Sequence, residues 1–237
     1  MRLLKKFFTA FCCMCMAVGL VSCSSSITDD ATVYVQGLLD SAYLGKTSQE
    51  YIDVVEGMTE ADAQEERDTN LEVEADYMLS FLAVEMPTDA VNERAREVVA
   101  EIYSYAKYSV KPAEKLSSGD LAVEVTVSPI EIIPLVTDDQ LMQMWEDVKQ
   151  QAGVTDEDLM MMSDEEYQAI DEQYAMALLD HLESLIPEIT YGEDQIIMLQ
   201  MKEEDGYYSL VDSGMQKLDE VMIDYNGSYM QQVNETV

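Results

Sequence analysis

Histidine is almost missing from this chain of 237 residues; His181 is the only one. A histidine-based metal site takes two or three such residues, so HExxH chemistry is excluded. Ser-His-Asp catalysis would have one imidazole to draw on, and no GxSxG occurs. GxGxxG and GxxxxGK[ST] are absent as well. Cysteine is confined to Cys12, Cys13, Cys15 and Cys23. Everything after residue 23 therefore lacks a disulfide, a thiolate metal site and a cysteine nucleophile. Positive charge is scarce: 13 Lys and Arg stand against 48 Asp and Glu, a net charge of −35. Phosphate contacts need clustered Lys and Arg, so nucleic acid is not an expected partner. Electrostatic docking on anionic lipid is disfavoured on the same ground.

The first 23 residues contain an address. Arg2, Lys5 and Lys6 form a basic start with no acid before residue 23. Phe7 to Gly19 is an apolar stretch too short to span a bilayer comfortably. Leu20, Val21, Ser22 and Cys23 then look like a bacterial lipobox. In signals of that kind the chain is cut before the cysteine, whose sulfur is the nucleophile that takes the lipid. Several acyl chains, each adding about 0.8 kcal/mol per buried CH₂, make a lasting anchor. The expected division is a signal peptide at 1–22, a lipidated Cys23 with a Ser-rich tether at 23–29, one domain at 30–225 and a flexible tail at 226–237. The expected location is the extracytoplasmic face of the cell membrane, with palmitate or a similar acyl group on Cys23. Without residues 1–22, ten basic residues face the 48 acids, a net charge of −38.

Helix starts are legible along the rest of the chain. A Ser or Thr three residues before an acid or Gln makes a capping box, which satisfies orphan N–H groups at both positions. The pattern occurs at Thr59/Asp62, Thr137/Gln140, Thr155/Asp158, Ser163/Glu166 and Ser213/Gln216. Asp30 and Ser48 are simpler N-cap candidates. Apolar residues at spacings of three and four come after each signal. They predict helices over about 31–44, 49–56, 60–84 and 89–106, a helical section over 138–186, and a last helix over 214–224. Gly153 is the expected stop inside the helical section, and Pro187 its end.

Between the helices the period changes to two. Tyr108 to Lys111 begins a strand that Pro112 demotes to an edge or a bulge. Leu121 to Val127 is the clearest strand, and the two runs predict a hairpin. Gln195–Lys202 and Tyr207–Val211 predict a second hairpin about Asp205-Gly206. The fold expected is α+β: an antiparallel sheet of about four strands packed against several helices, with the helical section between the hairpins.

Three stretches carry a resemblance. They are Tyr34-Val35-Gln36-Gly37-Leu38-Leu39-Asp40-Ser41-Ala42-Tyr43-Leu44-Gly45 after the lipobox, Val123-Glu124-Val125-Thr126-Val127-Ser128-Pro129, and Glu204-Asp205-Gly206-Tyr207-Tyr208-Ser209-Leu210. Together they resemble a group of uncharacterised acidic lipoproteins of Clostridia-type Gram-positive bacteria. The final strand, turn, strand and helix are also similar to NTF2-like or cystatin-like lipoproteins, although the section at 138–186 is larger than that pattern expects. The resemblance implies no catalytic residue.

The remaining side chains give few candidates. His181 lies at the margin of an apolar helical stripe, as a structural histidine would. The acid clusters Asp156-Glu157-Asp158 and Asp164-Glu165-Glu166 fall at helix starts, where the dipole favours them. Glu203-Glu204-Asp205 fails the EF-hand spacing. Arg94, Arg96, Lys107, Lys111 and Lys115 could form a binding stripe, but the favoured reading is that the lysines decorate an edge strand against aggregation. Met160-Met161-Met162 are expected in the core. The tyrosines fit either a cleft or a core rim. The leading expectation is a non-enzymatic binding or interaction domain, with no catalytic residue, metal or cofactor. Its partners would be the membrane, through the lipid anchor, and an envelope protein or a small ligand. The alternative is a small-ligand carrier or enzyme with a pocket between sheet and helices, whose polar members would be Glu124, Gln200 and Tyr208.

Overall fold

The computed structural model describes residues 27–204 and 207–225. The signal peptide, the lipobox with Cys23, the start of the tether, the Asp205-Gly206 turn and the tail at 226–237 lie outside the described residues.

The fold is α+β, with its strands in two places and its helices around them. Helices α1 (Ile27–Ala42), α2 (Gln49–Val54), α3 (Glu60–Phe81) and α4 (Asp89–Tyr103) come first. Strands β1 (Lys107–Val110), β2 (Glu114–Lys115), β3 (Leu121–Ser128) and β4 (Ile130–Glu131) are next. Then come α5 (Asp138–Ala152), α6 (Asp156–Leu159) and α7 (Asp164–Leu185). The chain closes with β5 (Thr190–Tyr191), β6 (Gln195–Glu204), β7 (Tyr207–Leu210) and α8 (Asp212–Met222).

Local chemistry sets most helix starts. Both arms of the capping box form at Thr59/Asp62, Thr137/Gln140, Thr155/Asp158 and Ser163/Glu166. Ser48 caps α2 by accepting from the Tyr51 N–H at 3.1 Å. Gly153 ends α5 at φ +70, in the left-handed region where a side chain would be penalised. Two expected starts are corrected. Asp30 is not a cap: α1 begins at Ile27, within the stretch expected as tether, because Ile27 extends the apolar stripe onto the core. Ser213 is not a cap either: Val211 is still held by Gln200, its N–H donating to that carbonyl at 2.8 Å. The helix therefore starts at once, at Asp212, with no side-chain cap. The third helix also stops early. Val84 N–H donates to the Leu79 carbonyl at 3.0 Å, and Ala83 takes φ +63 to allow it.

The main sheet is antiparallel, in the order β1, β3, β6, β7, with β2 beside β3 in line with β1. Pro112 separates β1 from β2, as its missing N–H requires. The next N–H, of Ala113, leaves the ladder and donates to Thr32 Oγ1 of α1 at 2.8 Å. Alternation along β3 sends Leu121, Val123, Val125 and Val127 to one face, where each is fully buried. The register sets Leu121, Val123 and Val125 opposite Met201, Leu199 and Ile197 of β6, which are buried with them. Helices α1 and α8 lie over this inner face. A second, unforeseen ladder pairs β4 with β5, Ile130 opposite Tyr191, and brings together the two ends of the helical section. Gly37 allows one close approach: a Cβ there would sit 2.4 Å from the Tyr51 side chain, so its absence lets α2 press on α1.

Candidate functional site

The expected pocket between sheet and helices is not assembled. Glu124 and Gln200 sit on the outer face of the sheet, at register positions opposite Met198 and Ala122. Tyr208 is buried on β7, at the register position opposite Glu203. The inner face that would have lined the pocket is filled by the aliphatic side chains of β3 and β6. Glu124 is ion-paired with Lys111 at 2.7 Å, on a half-exposed surface.

The other candidate residues are accounted for by structure. His181 is half-buried on α7, its Nε2 enclosed without a hydrogen-bond partner among the described residues. Asp158 and Glu166 close capping boxes, and hydrogen bonds from Thr155 and Ser163 hold both carboxyls below the usual range. Arg94 is drawn away from the lysines. It bridges α4 to α7 through Glu183 at 2.6 Å and Asp180 at 3.5 Å, and pairs with Glu97 on its own helix. Lys107, Lys111 and Lys115 are exposed on the β1–β2 edge, with Lys107 lying 3.4 Å from the Tyr191 ring centroid. Among the described residues no group of three or more metal-ligating side chains occurs.

The methionines give the largest correction. Met160 and Met161 are each 84% exposed, not core, because they follow α6, a single turn that buries none of its own residues. Met142 on α5 is 60% exposed. Helix α5 has the apolar spacing of a buried helix at Leu141, Met144, Trp145 and Val148, yet only Val148 among them is buried. Its main neighbour is α7, where Trp145 stands edge-on to Tyr174 with ring centroids 5.4 Å apart. Beside that contact the two helices leave an open groove of about 620 Å³. Met144 and Val148 line it from α5, Met176 and Ala177 from α7, with Asp147 and Glu172 among them. A concave apolar surface with a few polar groups is what a binding site needs.

A second cluster lies where α1, α3, α4 and α8 meet. The Tyr43 hydroxyl donates to Asp219 at 2.5 Å, and Tyr225 donates to Glu74. Tyr43 and Tyr103 stand edge-on, with centroids 5.0 Å apart, and Tyr77 meets Tyr225 edge-on at 4.8 Å. Glu74 and Asp219 are half-buried residues whose carboxyls are turned inward among the rings. Burial pushes the Asp219 carboxyl up to about 7, against the pull of the Tyr43 hydrogen bond and with repulsion from Glu74 and Glu220. Burial also raises Glu74, opposed by hydrogen bonds from Tyr225 and Tyr103. Tyr43 and Asp219 are 176 positions apart in sequence, so no local signal joins them. Tyr43 and Tyr103 are core residues and Tyr77 and Tyr225 lie at its rim; together they fasten four helices through two carboxylates.

No family model and no curated protein matches the chain. Among solved structures it is similar to YcdA, a candidate lipoprotein of Bacillus subtilis, with a TM-score of 0.54 and 18% identity. The match covers 82% of this chain and 56% of YcdA, so the chain spans little more than half of that protein's length. At that identity the likeness shows a shared fold. Among the described residues no helix is long and apolar enough to cross a membrane.

Proposed function

We propose that this chain is an envelope lipoprotein, anchored through lipid on Cys23, whose folded domain binds a partner and carries out no reaction. The Leu20-Val21-Ser22-Cys23 motif supports the anchor, and so does the shared fold with a protein described as a lipoprotein. One observation carries the binding role. The groove between α5 and α7 lies at the edge of the core and leaves Met144 and Met176 only partly covered, while the inner face of the sheet is closed by packing. Partly covered apolar side chains in a concave surface, with polar groups among them, give a partner something to bury.

The test has two arms in intact cells. Labelled fatty acid is expected in the wild-type protein and not in Cys23→Ser. Incorporation into Cys23→Ser refutes the anchor. Cross-linking and mass spectrometry then compare wild type with Ala169→Arg, which puts bulk and charge into the groove from an exposed position. An envelope partner captured by wild type and lost in Ala169→Arg supports the binding role. The same partners in both refute it.

A further inference from the structure

The groove between α5 and α7 also indicates its occupant. Segment 138–173 holds twelve acids, from Asp138 to Glu172, against one base, Lys149. That base is already engaged: its Nζ lies 2.6 Å from Glu146 and 2.5 Å from Asp156. Ten acids therefore remain unmatched by any base within the segment, and two of them, Asp147 and Glu172, line the groove from opposite helices. The lining runs along the helix axes, with Gln151 and Gln173 joining the two acids among its apolar residues. Met144 and Val148 are four residues apart on α5, and Ala169, Met176 and Ala177 recur at helical spacing on α7. From Ala169 to Ala177 the wall rises about 12 Å at 1.5 Å per residue, roughly two turns of a partner helix. Methionine side chains are unbranched and polarizable, and they adapt to varied apolar faces.

We propose that the groove binds a cationic amphipathic helix, with its apolar stripe against Met144, Val148 and Met176 and its basic residues toward Asp147 and Glu172. The inference rests on the proposed binding role and names the partner's chemistry. A groove between two helices offers side chains and no free backbone edge, so a third helix completes the packing where an added strand would find no ladder. Charge complementarity selects the sign: a second copy of this chain, or an anionic lipid surface, would meet strong repulsion.

Trp145, the only tryptophan in the chain, packs from α5 on Tyr174 of α7, so its emission reports on the contact between the two groove helices. The mature, lipid-anchored protein is held on phosphatidylcholine vesicles. It is titrated with a tryptophan-free Leu/Lys peptide patterned at i, i+3, i+4 and i+7. A scrambled peptide of equal composition, without that pattern, is the comparison. The expected result is a saturable change in Trp145 emission at micromolar peptide, at least tenfold weaker for the scrambled peptide. Ala169→Arg is expected to lose at least tenfold in affinity while its melting temperature is unchanged. Equal binding of both peptides would reduce the effect to diffuse charge attraction and overturn the proposal, as would full binding by Ala169→Arg. The two failures are distinguishable. If the peptide does not bind but Ala169→Arg still abolishes the cellular cross-link, the groove is a binding site for other chemistry. If the cross-link also survives, the binding role itself falls.

Discussion

Asp219 should make this protein more stable in weak acid than at neutral pH, the reverse of the usual carboxylate effect. Its pKa moves from an ordinary 3.8 to about 7, chiefly because burial among Tyr43 and its neighbours penalises the charged form. Between those values the folded chain holds a proton that the unfolded chain has released. Stability then falls with rising pH, at about 1.4 kcal/mol per pH unit for one proton. Over the whole interval the loss is on the order of 4 kcal/mol. Glu74, raised by the same cause, adds in the same direction. Repulsion among 48 acids also grows with pH, so the wild-type slope alone would not isolate Asp219. The informative variant is Asp219→Asn, whose side-chain carbonyl still accepts from the Tyr43 hydroxyl. Urea unfolding at pH 4, 5, 6, 7 and 8, read by Trp145 fluorescence and far-ultraviolet circular dichroism, measures both proteins. The gap between them should open with pH, until Asp219→Asn is the more stable by roughly 2–4 kcal/mol at pH 8. Parallel pH curves for the two proteins would refute the reasoning, because they would mean that Asp219 ionises alike in both states.

Three further substitutions probe the scaffold. Gly37→Ala should lower stability by about 1–3 kcal/mol, because the new methyl meets the Tyr51 ring at 2.4 Å; an unchanged melting temperature would mean that α2 does not press on α1. Thr59→Ala removes the N-terminal bond of α3, in which the Asp62 N–H donates to Thr59 Oγ1 at 3.3 Å. It should cost about 1 kcal/mol in chemical unfolding, and a cost of zero would show the box to be ornamental. Ala83→Gly relieves the left-handed φ of +63 at the end of α3. It should gain up to about 1 kcal/mol once the extra freedom of the unfolded chain is counted; a clear loss of stability would argue that Ala83 is not held in that conformation.

Features legible in the sequence share a short reach. A capping box joins residues three apart, so Thr59/Asp62 or Ser163/Glu166 can be read without knowing anything distant. The alternation of Leu121 to Val127 is equally local, and Pro112 declares an edge by lacking a donor. Misreadings arise where distant contacts decide. Ser213 has the right neighbour at Gln216, but the pairing of Val211 with Gln200 fixes where α8 begins. Met160 and Met161 are apolar and sit among helices, yet no described residue covers them. The stripe on α5 promised a core, and its incomplete cover by α7 is what turns it into a groove. The Tyr43–Asp219 and Tyr225–Glu74 bonds lay beyond reading, since 48 acids and 14 tyrosines offer too many pairs for composition to choose among.

The placement of β3 beside β6 has a consequence for assembly. Their register pairs, from Leu121↔Met201 to Val127↔Gln195, hold the middle of the sheet, but the whole helical section is threaded between them. Contacts so far apart form late, after the intervening chain has compacted. The ladder between Ile130 and Tyr191 closes the same loop next to where β3 ends and β6 begins, so once it is formed little chain remains to be closed between those strands. A nascent chain that stopped short of residue 195 would leave β3 with one bare edge and its valine-rich face unmatched by β6. Such a fragment is a template for aggregation. Synthesis of β6 and the residues after it is therefore the step that makes the rest of the chain safe to release.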